Sequence, residues 1–348
     1  MGKMNPIVLI QMLMQYRNYS AGGRVFKFTR NNRIRVHHET DEEQAKRKSV
    51  LAPQIRETAG LVIKNKLKDA LKGRAGKVYV DNAMKSVAVP LQMSAGQTGF
   101  DILPTGSRVK IPEGKKIRAF TYWEKVDDID LSCIGLTEEG LQREFSWRTM
   151  YSNQGSDITF SGDETSGYNG GSEYFDINLD LLKAKNPDFR YVVFCDNIFT
   201  HRGSTHFNDC FCKAGFMMRD EKDTGEIYEP KTVKTSFRVG GDSSFNYMFA
   251  IDLVTREMIW LNIIREGNHA IAGNEKMDFL LSYLRMTDVF NVYDLFTWCG
   301  EKANIFDADI IVTDYQFEND KFFKDALKGK EIIRSYEFDK ILKYIQPQ

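Results

Sequence analysis

Histidine is scarce, with five in 348 residues, and the chain carries no G-x-S-x-G elbow, no H-E-x-x-H pair and no dinucleotide fingerprint. Without these, neither a nucleophile nor a general base stands out, and the expectation is a protein that is not an enzyme. Long apolar runs are missing as well. No stretch approaches the roughly 18 consecutive apolar residues that would read as a membrane-spanning helix. Cysteine is sparse and odd in number, five with no regular spacing, which predicts free thiols, a reducing compartment and a cytoplasmic location. The segment from Pro6 to Met14 follows Lys3 and has the apolar character of a signal peptide. Gln11 interrupts it and no small-x-small site follows, so a short buried helix is expected there. Pro6 also stands where N-myristoylation requires Ser or Thr.

Net charge is absent overall, with 48 basic and 48 acidic side chains, but it is unevenly distributed. Residues 1–77 hold 17 Lys or Arg against 6 Asp or Glu, leaving 31 basic and 42 acidic residues for the remainder. A basic head on an acidic body suggests an acidic partner, such as nucleic acid or an anionic surface, or an electrostatic contact within the chain. Between Gly22 and Lys48, Arg24, Lys27, Arg33 and Arg35 alternate with Val25, Phe26, Phe28 and Ile34. That pattern predicts a basic hairpin turning at Asn31 and Asn32, either a nucleic-acid contact or a solvated edge. Pro53 then opens a predicted amphipathic helix over 53–72, with Gly73 as its stop.

Strand-like segments follow one another through the middle of the chain. Strands are expected at 78–81, 86–91, 116–124, 130–136, 143–147, 157–161, 174–181, 189–198, 210–219, 231–239, 246–254 and 257–264. Many strands with Gly- and Asp-rich turns and few long helical patterns predict a mainly β fold, a two-sheet sandwich with loops gathered at its ends. After about Gly267 the pattern changes to helices around a short apolar strand at ADIIVTD, read as a small α/β extension.

The most informative stretch is residues 156–180, SDITFSGDETSGYNGGSEYFDINLD. Between two alternating strands, Gly162, Gly167, Gly170 and Gly171 give the backbone freedom, and Asp163, Glu164, Asn169, Ser172 and Glu173 supply oxygens. Many hard oxygens on a folded-back loop suit Ca²⁺, whereas zinc would want nitrogen or sulfur. Helical flanks and a glycine in the place of Tyr168 would be needed for an EF-hand, so it is not one. The other reading is an ordinary polar hairpin loop. Upstream, Asp128 and Asp130 stand two apart in DDIDLSCIGL and project to one face of a strand, where two carboxylates repel unless a cation or base joins them.

The pairing of DIDLSCIGL with SGDETSG and GGSEYFDINLDLL resembles the TerD family, calcium-binding proteins of tellurium-resistance and stress-response operons. The likeness runs through VYVDNAMKSVAVPL, LPTGSRVKI, FRYVVFCDNIF, GFMMRD and EPKTVKTSF, most of residues 78–265, and VYDLFTWCGEKANIFDADIIV resembles a region that follows the module in longer members. The resemblance implies calcium-ligand roles for Asp128, Asp130, Asp163 and Glu173, with Asn169 as a further candidate. One departure is plain. The family loop carries a denser acidic run before its Glu, where this chain has Asn169, Gly170, Gly171 and Ser172, which implies a weaker site or a single ion.

The expectation is therefore a non-enzymatic calcium-binding stress-response protein, ordered by Ca²⁺ to meet other stress-response proteins in a complex. Its parts would be a basic region at 1–77, a TerD-like β-sandwich at 78–265 and an α/β extension at 266–348. The alternative is a nucleic-acid-associated module that uses the basic head. A zinc site at His201, His206, Cys210 and Cys212 fits no familiar module spacing, and core thiols with loop histidines are the simpler reading. An Asp128–Asp130 acid/base pair in a hydrolase is a third reading.

Overall fold

The computed structural model describes residues 4–17, 19, 23–28, 34–38, 41–91, 102–150, 155–199, 203, 205–219, 228–230, 233, 235–264, 277–286 and 290–346. The backbone alone is described for residues 17, 23–28, 34–38, 278, 279, 282, 286 and 318. The chain forms two units, one of Met1–Phe26, Val36–Phe100 and Ser282–Gln348, the other of Lys27–Arg35 and Asp101–Leu281.

The second unit is largely β. One antiparallel sheet has six strands in the order Arg108–Lys110, Glu257–Ile263, Phe245–Asp252, Phe189–Ile198, Ile129–Thr137 and Gln142–Phe145. The other has five, in the order Ser236–Arg238, Phe211–Arg219, Lys116–Glu124, Gly171–Asn178 and Ile158–Phe160. Period-2 alternation decides which side chains are buried together. Ile117, Ala119, Trp123, Phe175 and Ile177 from the five-stranded sheet share one core with Leu131, Cys133, Val192, Phe194 and Phe249 from the six-stranded one. Phe194 lies at its centre, stacked on Phe249 at 4.6 Å and 6.4 Å from Phe175 between ring centroids.

The strands expected at 116–124 and 189–198 form as expected. Two others do not. Residues 86–91 form no strand, because Asp81 caps a 3-10 turn at Asn82–Ser86 and only Ala88 makes an isolated bridge, to Asn291. The strand expected at 174–181 starts earlier, at Gly171, and ends at Asn178, whose side chain accepts from the Leu181 N–H and starts the Leu179–Lys185 helix.

The first unit is α/β. Four short parallel strands run in the order Glu301–Lys302, Lys77–Val80, Ile310–Val312 and Glu331–Ile333. Val78 and Val80 pack with Leu9, Leu13, Leu67, Leu295 and Ile341, while Tyr79 turns to the other face with Ile311 and Leu327. The boundaries at 77/78 and 265/266 follow chain order, and the structure groups the chain by contact instead. Lys77–Val80, expected to open the sandwich, lies inside the parallel sheet, so the head and tail of the chain build one unit. Strands of two to four residues bury too little alone, and parallel neighbours must come from distant sequence.

The helix expected over 53–72 runs from Glu42 to Leu71, with Pro53 inside it. Its true start is Asp41, whose side chain accepts from the Glu43 and Gln44 N–H groups, with Glu42 and Glu43 in the first turn. Pro6–Arg17 is the helix expected near the N-terminus, with Leu9, Ile10 and Leu13 buried. No helix among the described residues is long and apolar enough to cross a membrane. Strands Gly23–Phe28 and Ile34–His38 pair as a two-stranded sheet, and the turn expected at Asn31 and Asn32 lies outside the described residues.

Candidate metal centre

Backbone hydrogen bonds bring the loop at 161–170 against the start of the Ile129–Thr137 strand. Gly167 N–H donates to the Asp127 carbonyl at 2.7 Å and Lys125 N–H to the Tyr168 carbonyl at 2.8 Å. The chain turns at Lys125 with φ +71°, and the Trp123 indole N–H closes that turn on the Val126 carbonyl at 3.0 Å.

The four loop glycines do two different jobs. Gly162 and Gly170 have φ of +102° and +137°, a region that L side chains avoid. Gly167 and Gly171 are needed for space, because a Cβ on either would stand 2.5 Å from the Trp123 ring. Gly171→Ala should cost about 1–3 kcal/mol of stability by overpacking against Trp123, measured as a lower urea midpoint with an unchanged slope.

Glu173 is fully buried and ties strand to loop. Its Oε2 accepts from the Leu131 N–H at 2.8 Å and its Oε1 from the Glu164 N–H at 3.0 Å. Glu164 in turn accepts from the Ser166 N–H at 2.7 Å. This lattice holds Asp163 over Asp128 and Asp130. One carboxylate oxygen from each of these three aspartates lies within 4.8 Å of the others, and no other such group of His, Cys, Asp and Glu occurs among the described residues.

Asp128 and Asp130 are each 8% exposed, whereas Asp163 is open to solvent. Asp128 Oδ1 is buried and has no hydrogen-bond partner. Burial pushes the Asp128 carboxyl up to about 7, and the negative charges of Asp130, Asp163, Glu164 and Asp127 push the same way. Asp130 is pushed up to about 6 by burial and by Asp163, against a hydrogen bond from Asn197. Glu173 is pushed up to about 9 by burial, although its two backbone N–H bonds oppose the shift.

Of the residues singled out in the sequence, Asp128, Asp130 and Asp163 are thus brought together. Glu173 stands behind them with both oxygens engaged by N–H groups. Asn169 is exposed at the end of the 3-10 turn Gly167–Asn169.

Asp196 was not visible as a site residue in the sequence. It is fully buried, its Oδ2 accepts from Thr121 Oγ1 at 2.7 Å, its Oδ1 is unpartnered, and burial pushes it up to about 8. The signal was there in its phase. Val192, Phe194 and Ile198 face the core on the same strand, which puts Asp196 on their side.

The zinc reading gains no support. Cys210 and Cys212 are free, buried thiols; Cys212 Sγ lies 3.7 Å from Asp196 Oδ2 and 3.5 Å from Thr121 Oγ1, and Cys210 Sγ 3.8 Å from the Phe207 carbonyl. His206 Nδ1 lies 3.2 Å from Thr205 Oγ1, and His201 lies outside the described residues. All five cysteines are free and buried.

No protein-family model matches the chain, and no curated protein matches it. Among solved structures, the crystal structure of a protein of unknown function, SAV2460, is similar at 12% identity and a TM-score of 0.30, covering 42% of this chain and 90% of that one. A likeness at that level carries no argument.

Proposed function

We propose that this chain is a non-enzymatic calcium-binding module built on a TerD-type two-sheet sandwich. Ca²⁺ would be held by Asp128, Asp130 and Asp163, with Asn169, exposed at the end of the Gly167–Asn169 turn, as a further candidate for an amide oxygen. The observation that carries the reading is the trio itself. Three carboxylates converge, two of them buried, and a buried oxygen of Asp128 lacks any hydrogen-bond partner. Like charges gathered away from water are costly unless a cation joins them. The donors are all oxygens, which suits Ca²⁺ and does not suit zinc.

Glu173 acts in this reading as a positioning residue. By accepting from the Leu131 and Glu164 N–H groups it fixes the strand and the loop that carry the three aspartates. A cation bound there stabilises the loop in one arrangement by mass action, and the ordered surface is available to another protein of a stress response, of the tellurite-resistance type that the sequence resembles.

Equilibrium dialysis of the full chain against calcium tests the reading. At least one ion should be retained per chain with a dissociation constant of about 10⁻⁷–10⁻⁵ M, the range of sensor sites. Asp130→Ala should lose it. Calcium retained equally by Asp130→Ala would remove the trio from the account.

A further inference from the structure

We propose that Lys64, Lys68 and Lys85, gathered over the rings of Trp298 and Tyr293, bind a small anion that carries a diphosphate group. This inference is independent of the calcium reading.

Both rings belong to the helix Val292–Cys299, capped by Asn291 and tied to the chain at Val87, whose carbonyl accepts from the Val292 N–H at 2.9 Å. The rings are fixed in place. Each packs half-buried against the core of the parallel-sheet unit, and Trp298 lies 5.2 Å from Phe290 between ring centroids. Exposed lysines stand over them. The Lys64 and Lys68 ammonium groups lie 5.5 and 5.1 Å from the centre of the Trp298 ring, and that of Lys85 lies 4.7 Å from the centre of the Tyr293 ring. Lys302 Nζ adds a fourth positive charge, 3.5 Å from the Tyr293 hydroxyl.

The lysines work against one another unless an anion joins them. Lys64 and Lys68 are four residues apart on the Glu42–Leu71 helix, where like charges repel. Among the described residues, Lys64, Lys68 and Lys85 donate no hydrogen bond and form no close ion pair, so the ring faces are their partners. One carboxylate shares their field. Burial pushes the half-buried Asp294 carboxyl up, and Lys64, Lys68 and Lys85 all pull it down. Three cations to one acid leave a surplus of about two positive charges in one place.

The surroundings limit the size of the ligand. Exposed Glu57 lies about two turns before Lys64 on the same side of its helix, and exposed Glu301 precedes Lys302. Asp69 falls on a different side, about 100° from Lys68. A strand of nucleic acid or a lipid surface would extend onto Glu57 and Glu301, whereas a small anion stays among the lysines. A diphosphate matches the surplus, because lysine serves phosphate as a point charge on a flexible stem long enough to swing from ring to ligand. The position in the fold agrees. Lys85 stands in the turn Asn82–Ser86, which Asp81 caps directly beyond the carboxyl end of Lys77–Val80. That strand lies between Glu301–Lys302, the next in sequence, and Ile310–Val312, so the strand order reverses beside it. Open parallel sheets take ligands beyond the carboxyl ends of strands at such a reversal.

The test is calorimetric titration of the full chain with pyrophosphate, adenosine diphosphate and citrate at low ionic strength, on protein stripped of calcium over a chelating resin. Pyrophosphate should bind at one site per chain and lose affinity with added salt. Adenosine diphosphate bound more tightly than pyrophosphate would make a nucleotide the source of the diphosphate; equal affinity would make the diphosphate group alone the ligand. Lys64→Met with Lys85→Met should weaken binding about tenfold or more. Asp294→Asn, which removes the acid from among the lysines, should tighten it about threefold. Unchanged circular dichroism would show that both variants fold. Three results would overturn the proposal: no pyrophosphate binding by the parent chain, unchanged affinity in the folded double lysine variant, or citrate bound as tightly as pyrophosphate.

Discussion

Glu173→Ala should lower folding stability by roughly 2–6 kcal/mol, because it leaves two backbone donors, at Leu131 and Glu164, without an acceptor at about 1–3 kcal/mol each. The loss is large because the buried carboxyl joins a strand to a loop. Glu173→Gln keeps one acceptor oxygen and should cost about half as much. Urea denaturation in EDTA separates the two variants from the parent. The same pair divides positioning from ligation: Glu173→Gln should still bind calcium, more weakly, where Asp130→Ala does not. A fully stable Glu173→Ala protein would mean that water replaces the carboxyl at both donors.

The second large effect joins pH to calcium. Asp128, Asp130 and Glu173 have carboxyls raised to about 7, 6 and 9 in the folded chain, against about 4 when unfolded. Between those values the folded state holds more protons than the unfolded one, so stability falls as pH rises. The contribution is fully present below about pH 4 and is lost as pH climbs through 6, 7 and 9. Without calcium, the melting temperature should therefore drop by about 3–8 °C between pH 6 and pH 8.5. Calcium at about 100 times its dissociation constant adds about 2.7 kcal/mol. Because the ion competes with those protons, its benefit should be larger at pH 8.5 than at pH 6. A melting temperature in EDTA that is flat across this range, or one that calcium leaves unmoved at pH 8.5, would contradict the electrostatic picture of the trio.

Much of the β unit was legible because its signal is local. Lys116–Glu124 and Phe189–Ile198 are runs of nine and ten residues rich in aromatic and branched side chains, and such runs declare themselves. Asp128 and Asp130 were legible for the same reason, since their spacing fixes a shared face. The parallel sheet was not. Lys77–Val80 pairs with Ile310–Val312 across more than two hundred residues, and strands of three and four residues leave no pattern that names the partner.

The helix start at Asp41 was hidden by Pro53, which usually marks a first turn and here sits inside thirty helical residues. The glycine loop was read for flexibility, correctly at Gly162 and Gly170, while the demand of Trp123 at Gly167 and Gly171 depends on a side chain more than forty residues away. Glu173 was picked out for its oxygens, and only the fold shows that both are met by N–H groups.

The central claim is that Asp128, Asp130 and Asp163 hold calcium. Calorimetric titration of the full chain and of Asp163→Ala tests it directly, with magnesium and zinc as controls. The account predicts saturable calcium binding in about the micromolar range, at least a hundredfold weaker in Asp163→Ala. Magnesium should be a poor competitor and zinc should give no matching site. Absence of calcium binding by the parent chain, or binding of equal strength in Asp163→Ala, would contradict it.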